Sequence, residues 1–158
     1  MTKRTPLDLF MIALAYLMKG DGEVSTEERA QLLAILNKHV STREIQTEQL
    51  KDMVSAAFTS ADLEPVETFA NEVALQLSPG QKISIFSNLY DMALADGKMR
   101  FGEKRVLDNI RIAFAIEPKV ANAIKEILEI KNDTTIFTNV KHSCNEPSYK
   151  LRVTYDSD

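Results

Sequence analysis

Cysteine and tryptophan are the scarcest residue types in this chain of 158 residues, which has one cysteine, Cys144, and no tryptophan. A single cysteine excludes an internal disulfide, a four-thiolate zinc site and a CxxC redox pair. Such cysteine usage is typical of proteins that work in a reducing compartment. We therefore expect a cytoplasmic protein.

Glycine and proline are also few, at five residues each, which is below their usual shares of about 7% and 5%. Few turn residues favour long elements, and hence helices. No long hydrophobic run is present. The apolar stretch from Leu7 to Met18 is interrupted by Asp8, is too short to span a bilayer, and is not followed by a small-residue cleavage site. We expect it to be a core helix and expect no membrane span.

Positive charge is in slight deficit, because 19 Lys and Arg stand against 23 Asp and Glu, for a formal net charge of −4. This charge balance argues against a nucleic-acid partner, since such partners require clustered positive charge. One basic stretch surrounds Gly102 and would be the recognition helix in a helix-turn-helix interpretation. Acidic residues interleave it, so a solvated face or a protein-interaction surface is the favoured interpretation. The basic residues are Lys98, Arg100, Lys104, Arg105 and Arg111.

Apolar residues recur at helical spacing through most of the chain, and cap residues or Pro precede each run. The pattern predicts an all-α fold of about seven helices. These helices are expected to begin near Pro6, Ser25, Ser41, Asp62, Pro79, Phe101 and Pro118. We assign residues 1–131 to this helical domain, and expect the sixth helix to end near Ala115.

The last part of the chain, residues 132–158, has a different composition. Its β-branched and aromatic runs, Thr134–Val140 and Tyr149–Tyr155, predict two short strands or an extended tail packed on or beside the helical domain.

An internal repeat is the most informative feature. An offset of 75 residues aligns Asp21-Gly22 with Asp96-Gly97, Glu28 with Glu103, and the apolar residues of the flanking helices with each other. The pattern of each half predicts a helix, an Asp-Gly turn, an apolar residue, and a Glu early in the next helix. The repeat predicts two helix-turn-helix halves related by a pseudo-twofold axis.

The Glu of each copy lies near the positive end of its helix, where a carboxylate can cap the backbone. In the first copy Ser25 completes a capping box with Glu28. In the second copy Arg100 occupies the corresponding position, so capping alone does not predict Glu103.

Packing of the two halves about the pseudo-twofold would bring four carboxylates together, and these would repel one another unless a cation compensates. The carboxylates are those of Asp21, Glu28, Asp96 and Glu103. Oxygen ligands alone suit Ca²⁺, Mg²⁺ or Mn²⁺, so the sequence predicts a divalent-cation site. It is not an EF-hand, because Gly22 follows directly on Asp21 instead of occupying the sixth loop position.

The duplicated motif, D-G-x-apolar followed by a helix-opening Glu and preceded in the second copy by A-x-x, resembles the tellurite-resistance TerB family. The same module resembles the N-terminal cytosolic part of DjlA, a membrane-anchored DnaJ-type co-chaperone. The resemblance covers about residues 5–131 and implies an all-helical pseudosymmetric fold, an acidic metal site, and a link to tellurite and other stress responses. The residues of this chain that match the family's acidic positions are Asp21, Glu28, Asp96 and Glu103 only. The second copy has Lys98 where the first copy has the acidic residue Glu23. No H-P-D motif of a J-domain is present.

No catalytic or cofactor-binding residues are predicted, and we expect a non-enzyme that engages a protein partner. His39 lies near the end of a helix, whose negative terminus it complements. His142 and Cys144 would need further ligands to hold a soft metal. The rival hypothesis is a structural interaction module whose acidic residues only cap helices and fix turns. A metal-dependent enzyme is a third alternative, and the sequence leaves a homo-oligomer open.

Overall fold

A computed structural model describes residues 4–20, 26–43, 46–95 and 99–152. These residues form seven α-helices and no strand, which confirms the all-α prediction. The helices are α1 (Pro6–Lys19), α2 (Thr26–Ser41), α3 (Leu50–Leu63), α4 (Val66–Ala74), α5 (Pro79–Ala93), α6 (Phe101–Ala113) and α7 (Pro118–Asn132). No helix within the described ranges is long and apolar enough to cross a membrane.

The helix starts follow the cap signals of the sequence. At α1 the Thr5 hydroxyl accepts from the Asp8 backbone N–H at 3.2 Å, and the Asp8 carboxylate accepts from the Thr5 backbone N–H at 2.9 Å. At α5, Ser78 and Gln81 form the same reciprocal pair, with Pro at the next position.

Some boundaries differ from the predicted ones. A single 3₁₀ turn, Thr47–Gln49, precedes α3, which continues to Leu63. Helix α6 ends at Ala113, because Ala115 adopts a left-handed conformation with φ of 52°. The Ile116 and Ala115 amides then donate to carbonyls of the last turn. This reversal is usually signalled by glycine, so an alanine there concealed it.

Helix α1 lies at the centre of the molecule and contacts α3, α5 and α6. Every residue from Met11 to Met18 is buried, as expected for a helix covered on all sides. Helix α5 is the second centre and contacts α1, α2, α6 and α7. These two helices are the first helices of the two repeated halves.

Equivalent positions of the repeat have similar environments. Leu14 and Leu89 are 1% and 0% exposed, and Ile35 and Ile110 are both buried. The apolar register that aligned the two halves is therefore the register of the hydrophobic core.

The segment after α7 corrects the strand prediction. Residues Thr134–Val140 form consecutive turns. The Asp133 carboxylate accepts from the Thr135 N–H at 2.8 Å and the Thr135 hydroxyl at 2.6 Å, and the Asn139 N–H donates to the Thr135 carbonyl. These local bonds favour turns, and the described residues offer no strand for pairing. We call residues 133–152 the strap, because they run back along α7. Residues 153–155 of the second predicted strand lie outside the described part.

The end of α1 meets the start of α6 at two glycines, and we call this backbone contact the junction. A Cβ atom built on Gly102 would lie 1.7 Å from the Gly20 carbonyl oxygen and 2.5 Å from its carbonyl carbon. No residue with a side chain fits at Gly102 while the two backbones remain this close.

Gly102→Ala is expected to destabilise the protein by about 3 kcal/mol, because backbone atoms must move to admit the methyl group. Gly80→Ala is the matched control, since Gly80 holds the same second position in α5 and has no atom within 4 Å of a built Cβ. There alanine should stabilise by roughly 0.5–1 kcal/mol. Urea unfolding of both variants measures this, and equal effects at the two glycines would contradict the close contact.

Candidate metal centre

The four predicted metal ligands divide into two pairs. Asp21 and Asp96 lie outside the described residues. Glu28 and Glu103 are each the third residue of their helix, α2 and α6, and their side chains are 3% and 2% exposed. They are the two charged residues in the described ranges that are classed as buried. Burial of a carboxylate is costly unless donors or a cation compensate its charge.

Part of that compensation is visible at Glu103. Its Oε1 accepts from the Arg100 backbone N–H at 3.1 Å. The expectation that capping would not account for Glu103 was therefore incomplete, because a carboxylate can cap the backbone without a hydroxyl partner. The reciprocal half of a capping box cannot form, since an arginine side chain has no acceptor.

The junction places the start of α6 against the end of α1. Gly20, which directly precedes Asp21 in the sequence, therefore lies beside the helix that carries Glu103. The equivalent contact in the repeat is that of α2 with α5. Here Gln31 Nε2 donates to Asp91 Oδ2 at 3.0 Å.

Glu28 and Gln31 are three residues apart and so share one face of α2. The face of α2 that carries Glu28 is thus joined to the last part of α5, which leads into the second Asp-Gly turn. Each buried glutamate follows one turn in the sequence and lies on a helix that packs against the other half.

The nearest lysine on α1 is engaged elsewhere. Lys19 forms a salt bridge with Asp62, donates to the Phe58 carbonyl at 3.0 Å, and has its ammonium 5.7 Å from the centre of the Phe58 ring. These partners all belong to α3. Lys19 therefore supports the packing of α1 on α3.

Asp91 joins three helices near the end of α5. Its Oδ2 accepts from Gln31 of α2 and from Lys131 Nζ at 2.6 Å, and its Oδ1 accepts from Asn132 Nδ2 at 2.8 Å. One carboxylate, only 16% exposed, thus joins α2, α5 and α7. The sequence patterns did not indicate a role for this residue. Its signal was weak: an isolated acid within the apolar second half of α5.

The histidine and cysteine of the strap do not form the soft-metal site considered from the sequence. His142 Nδ1 accepts from the Cys144 backbone N–H at 3.0 Å, so Nε2 carries the proton that bonds Asp133 Oδ2 at 2.6 Å. Both ring nitrogens are used by the protein. Across residues 4–20, 26–43, 46–95 and 99–152, no three His, Cys, Asp or Glu side chains could hold a metal ion. Asp21 and Asp96 lie outside these ranges.

The basic stretch is partly neutralised. Arg105 Nη2 donates to Glu67 Oε1 at 3.1 Å, which ties α6 to α4. A hydrogen bond from the Glu67 backbone, followed by this bond from Arg105, lowers the pKa of Glu67. The arginine therefore has an intramolecular role in the packing of α4 on α6.

The fold and the buried glutamates define a class of all-helical proteins with a repeated Asp-Gly turn and an acidic helix start. The family described as tellurite resistance protein TerB matches residues 8–126 of the chain. The chain belongs to this family. No curated protein and no solved structure is significantly similar to it.

Asp133 anchors the strap and has an unusual pKa of about 2, below the ordinary 3.8. The main causes are the hydrogen bonds from the Thr135 hydroxyl and the Thr135 N–H, followed by the bond to His142. Because hydrogen bonds to the ionised form lower this pKa, they stabilise the strap fully above about pH 4, and that stabilisation is lost as the pH falls through about 2.

Thr135→Val should raise the pKa of Asp133 towards its ordinary value, since it removes the largest contribution and leaves the backbone donor. Carbon-detected NMR titration of the Asp133 carboxyl measures the change. Thr138→Val is the control, because the Thr138 hydroxyl donates to a carbonyl and not to Asp133. An Asp133 pKa that is the same in the wild type and in Thr135→Val would contradict the assigned cause.

Proposed function

We propose that this TerB-family protein binds a divalent cation where its two halves meet, with Asp21, Glu28, Asp96 and Glu103 as the acidic ligands. The observation that carries the proposal is the burial of Glu28 and Glu103, at 3% and 2% exposed, at equivalent positions of the repeat. Two carboxylates withdrawn from water favour a cation, and oxygen ligands select Ca²⁺, Mg²⁺ or Mn²⁺.

Chain connectivity supports convergence of the four ligands. Consecutive Cα atoms are about 3.8 Å apart, so Asp21 is one such step from Gly20, and Glu103 is one step from Gly102. Those glycines are in contact, so the backbone positions that precede Asp21 and Glu103 lie side by side, as a shared ion would require. The bond between Gln31 and Asp91 supports the corresponding approach of Glu28 to the second turn.

The protein acts, in this proposal, as a cytoplasmic binding protein in the tellurite and stress responses associated with its family, and not as an enzyme. Ion binding would fix the relative position of the two halves, and thereby the surface offered to a protein partner. Side chains for such contacts are available, because several large apolar residues are exposed. Examples are Leu75, Phe101, Ile112, Phe137 and Val140.

A second candidate is the structural interaction module without metal. The hydrogen bond from the Arg100 N–H to Glu103 favours it, because it shows that this carboxylate also serves as a helix cap. The two candidates differ in one respect: only the first predicts a response to ions.

Calorimetric titration of metal-depleted protein with Ca²⁺, Mg²⁺ and Mn²⁺ tests the proposal. At least one ion should give saturable heat in the wild type, and an ion at a hundred times its Kd should stabilise the fold by about 2.7 kcal/mol. The double variant Asp21→Asn, Asp96→Asn should lose both effects. So should Glu28→Gln, Glu103→Gln, in which the glutamine oxygen can still accept from Arg100.

The control is Asp52→Asn, Asp108→Asn, which removes the same charge from α3 and α6 and should leave the heat unchanged. If the wild type gives no heat at millimolar ion while Asp21→Asn, Asp96→Asn loses stability, the structural module is correct and the metal site is wrong.

A further inference from the structure

The strap encloses a groove along α7 that the TerB family match does not explain. The groove has a volume of about 910 Å³, within the range of small-molecule sites. One wall is α7, and the other is formed by the strap, through residues 142–144, 149, 150 and 152. The family match ends at residue 126, so the second wall lies wholly beyond it.

The two walls are held together by carboxylates whose oxygens are already used. Glu126 on α7 accepts from the Tyr149 hydroxyl at 2.6 Å and from the Arg152 backbone N–H at 2.7 Å. At the other end, Asp133 accepts from Thr135 and His142. These bonds hold the pKa of both carboxyls below the ordinary range.

The basic side chains that line the groove do not form the hydrogen bonds that join its two walls. Lys125 projects from α7 with its ammonium 5.9 Å from the centre of the Tyr90 ring, and Lys150 and Arg152 lie on the strap. Among the described residues, none of these three side chains has a carboxylate within salt-bridge distance. Lys119, in the first turn of α7, also lines the groove, and Glu129 is the remaining acid of the lining.

We propose that this groove binds a small molecule that carries a phosphate or diphosphate group. Cations on both walls suit a doubly charged group with several acceptor oxygens, which can be contacted from both sides at once. A monocarboxylate can satisfy only one wall. The Tyr149 ring and Ile130, which also line the groove, provide apolar contact for the organic part of the ligand.

The test is a titration of the full chain with sodium pyrophosphate, followed by amide NMR at constant ionic strength. The buffer is passed over a chelating resin, so that no divalent ion links the probe to the acidic site. Saturable shifts should appear at residues that line the groove, with a Kd below about 1 mM, the range expected for a few charge-assisted hydrogen bonds. Acetate should give no saturable shifts.

Lys150→Gln, Arg152→Gln should weaken pyrophosphate binding on the order of tenfold or more. The bonds to Glu126 persist, because their donors are the Arg152 backbone and the Tyr149 hydroxyl. The matched control is Lys38→Gln, Lys51→Gln, which removes two exposed lysines from α2 and α3 and should change the Kd less than about twofold.

Lys125→Gln tests the other wall without touching the strap, and should also weaken binding. The proposal is overturned if the wild type shows no saturable shifts, if the shifts lie outside the groove, or if the control variant loses as much affinity as Lys150→Gln, Arg152→Gln. None of these outcomes depends on the divalent-cation site.

Discussion

The contact between the Gly20 and Gly102 backbones is the constraint on which the arrangement of the two halves depends. It holds the end of the central helix α1 so close to the start of α6 that a side chain at Gly102 would overlap the Gly20 backbone. Helix α1 is buried on all sides, so it cannot shift to relieve a change at this point. The start of α6, and with it Glu103, is therefore positioned by the core itself.

In this packing, two carboxylates are buried at equivalent positions of the repeat. Glu28 and Glu103 begin their helices beside the opposite half, and both are buried. A backbone cap accounts for part of the environment of Glu103, and the proposed cation would add opposite charge to both sites. Asp91 joins α2, α5 and α7, so the last part of α5 is held by two other helices.

The sequence was sufficient for the helices and for the repeat, because both rest on local periodicity and cap residues that the core then uses. Thr5, Ser78 and the buried leucines Leu14 and Leu89 behave as their patterns indicate.

The end of α6 was missed because Ala115 adopts a glycine-like conformation. The strand prediction for Thr134–Val140 was wrong because composition favours strands only where a partner strand exists, and local bonds of Asp133 and Asn139 favoured turns. The role of Asp91 depends on donors from distant helices, which no local pattern encodes. Convergence of all four predicted ligands stays a prediction.

Paramagnetic relaxation by substoichiometric Mn²⁺ tests whether one ion is shared by the two halves. Mn²⁺ broadens amide signals near its site. The account predicts that signals at the starts of α2 and α6 and at Gly20 broaden together, at the same Mn²⁺ concentration, and recover together when excess Mg²⁺ or Ca²⁺ is added. Broadening confined to one half, or centred on the strap carboxylates Glu126 and Asp133, would contradict a shared site.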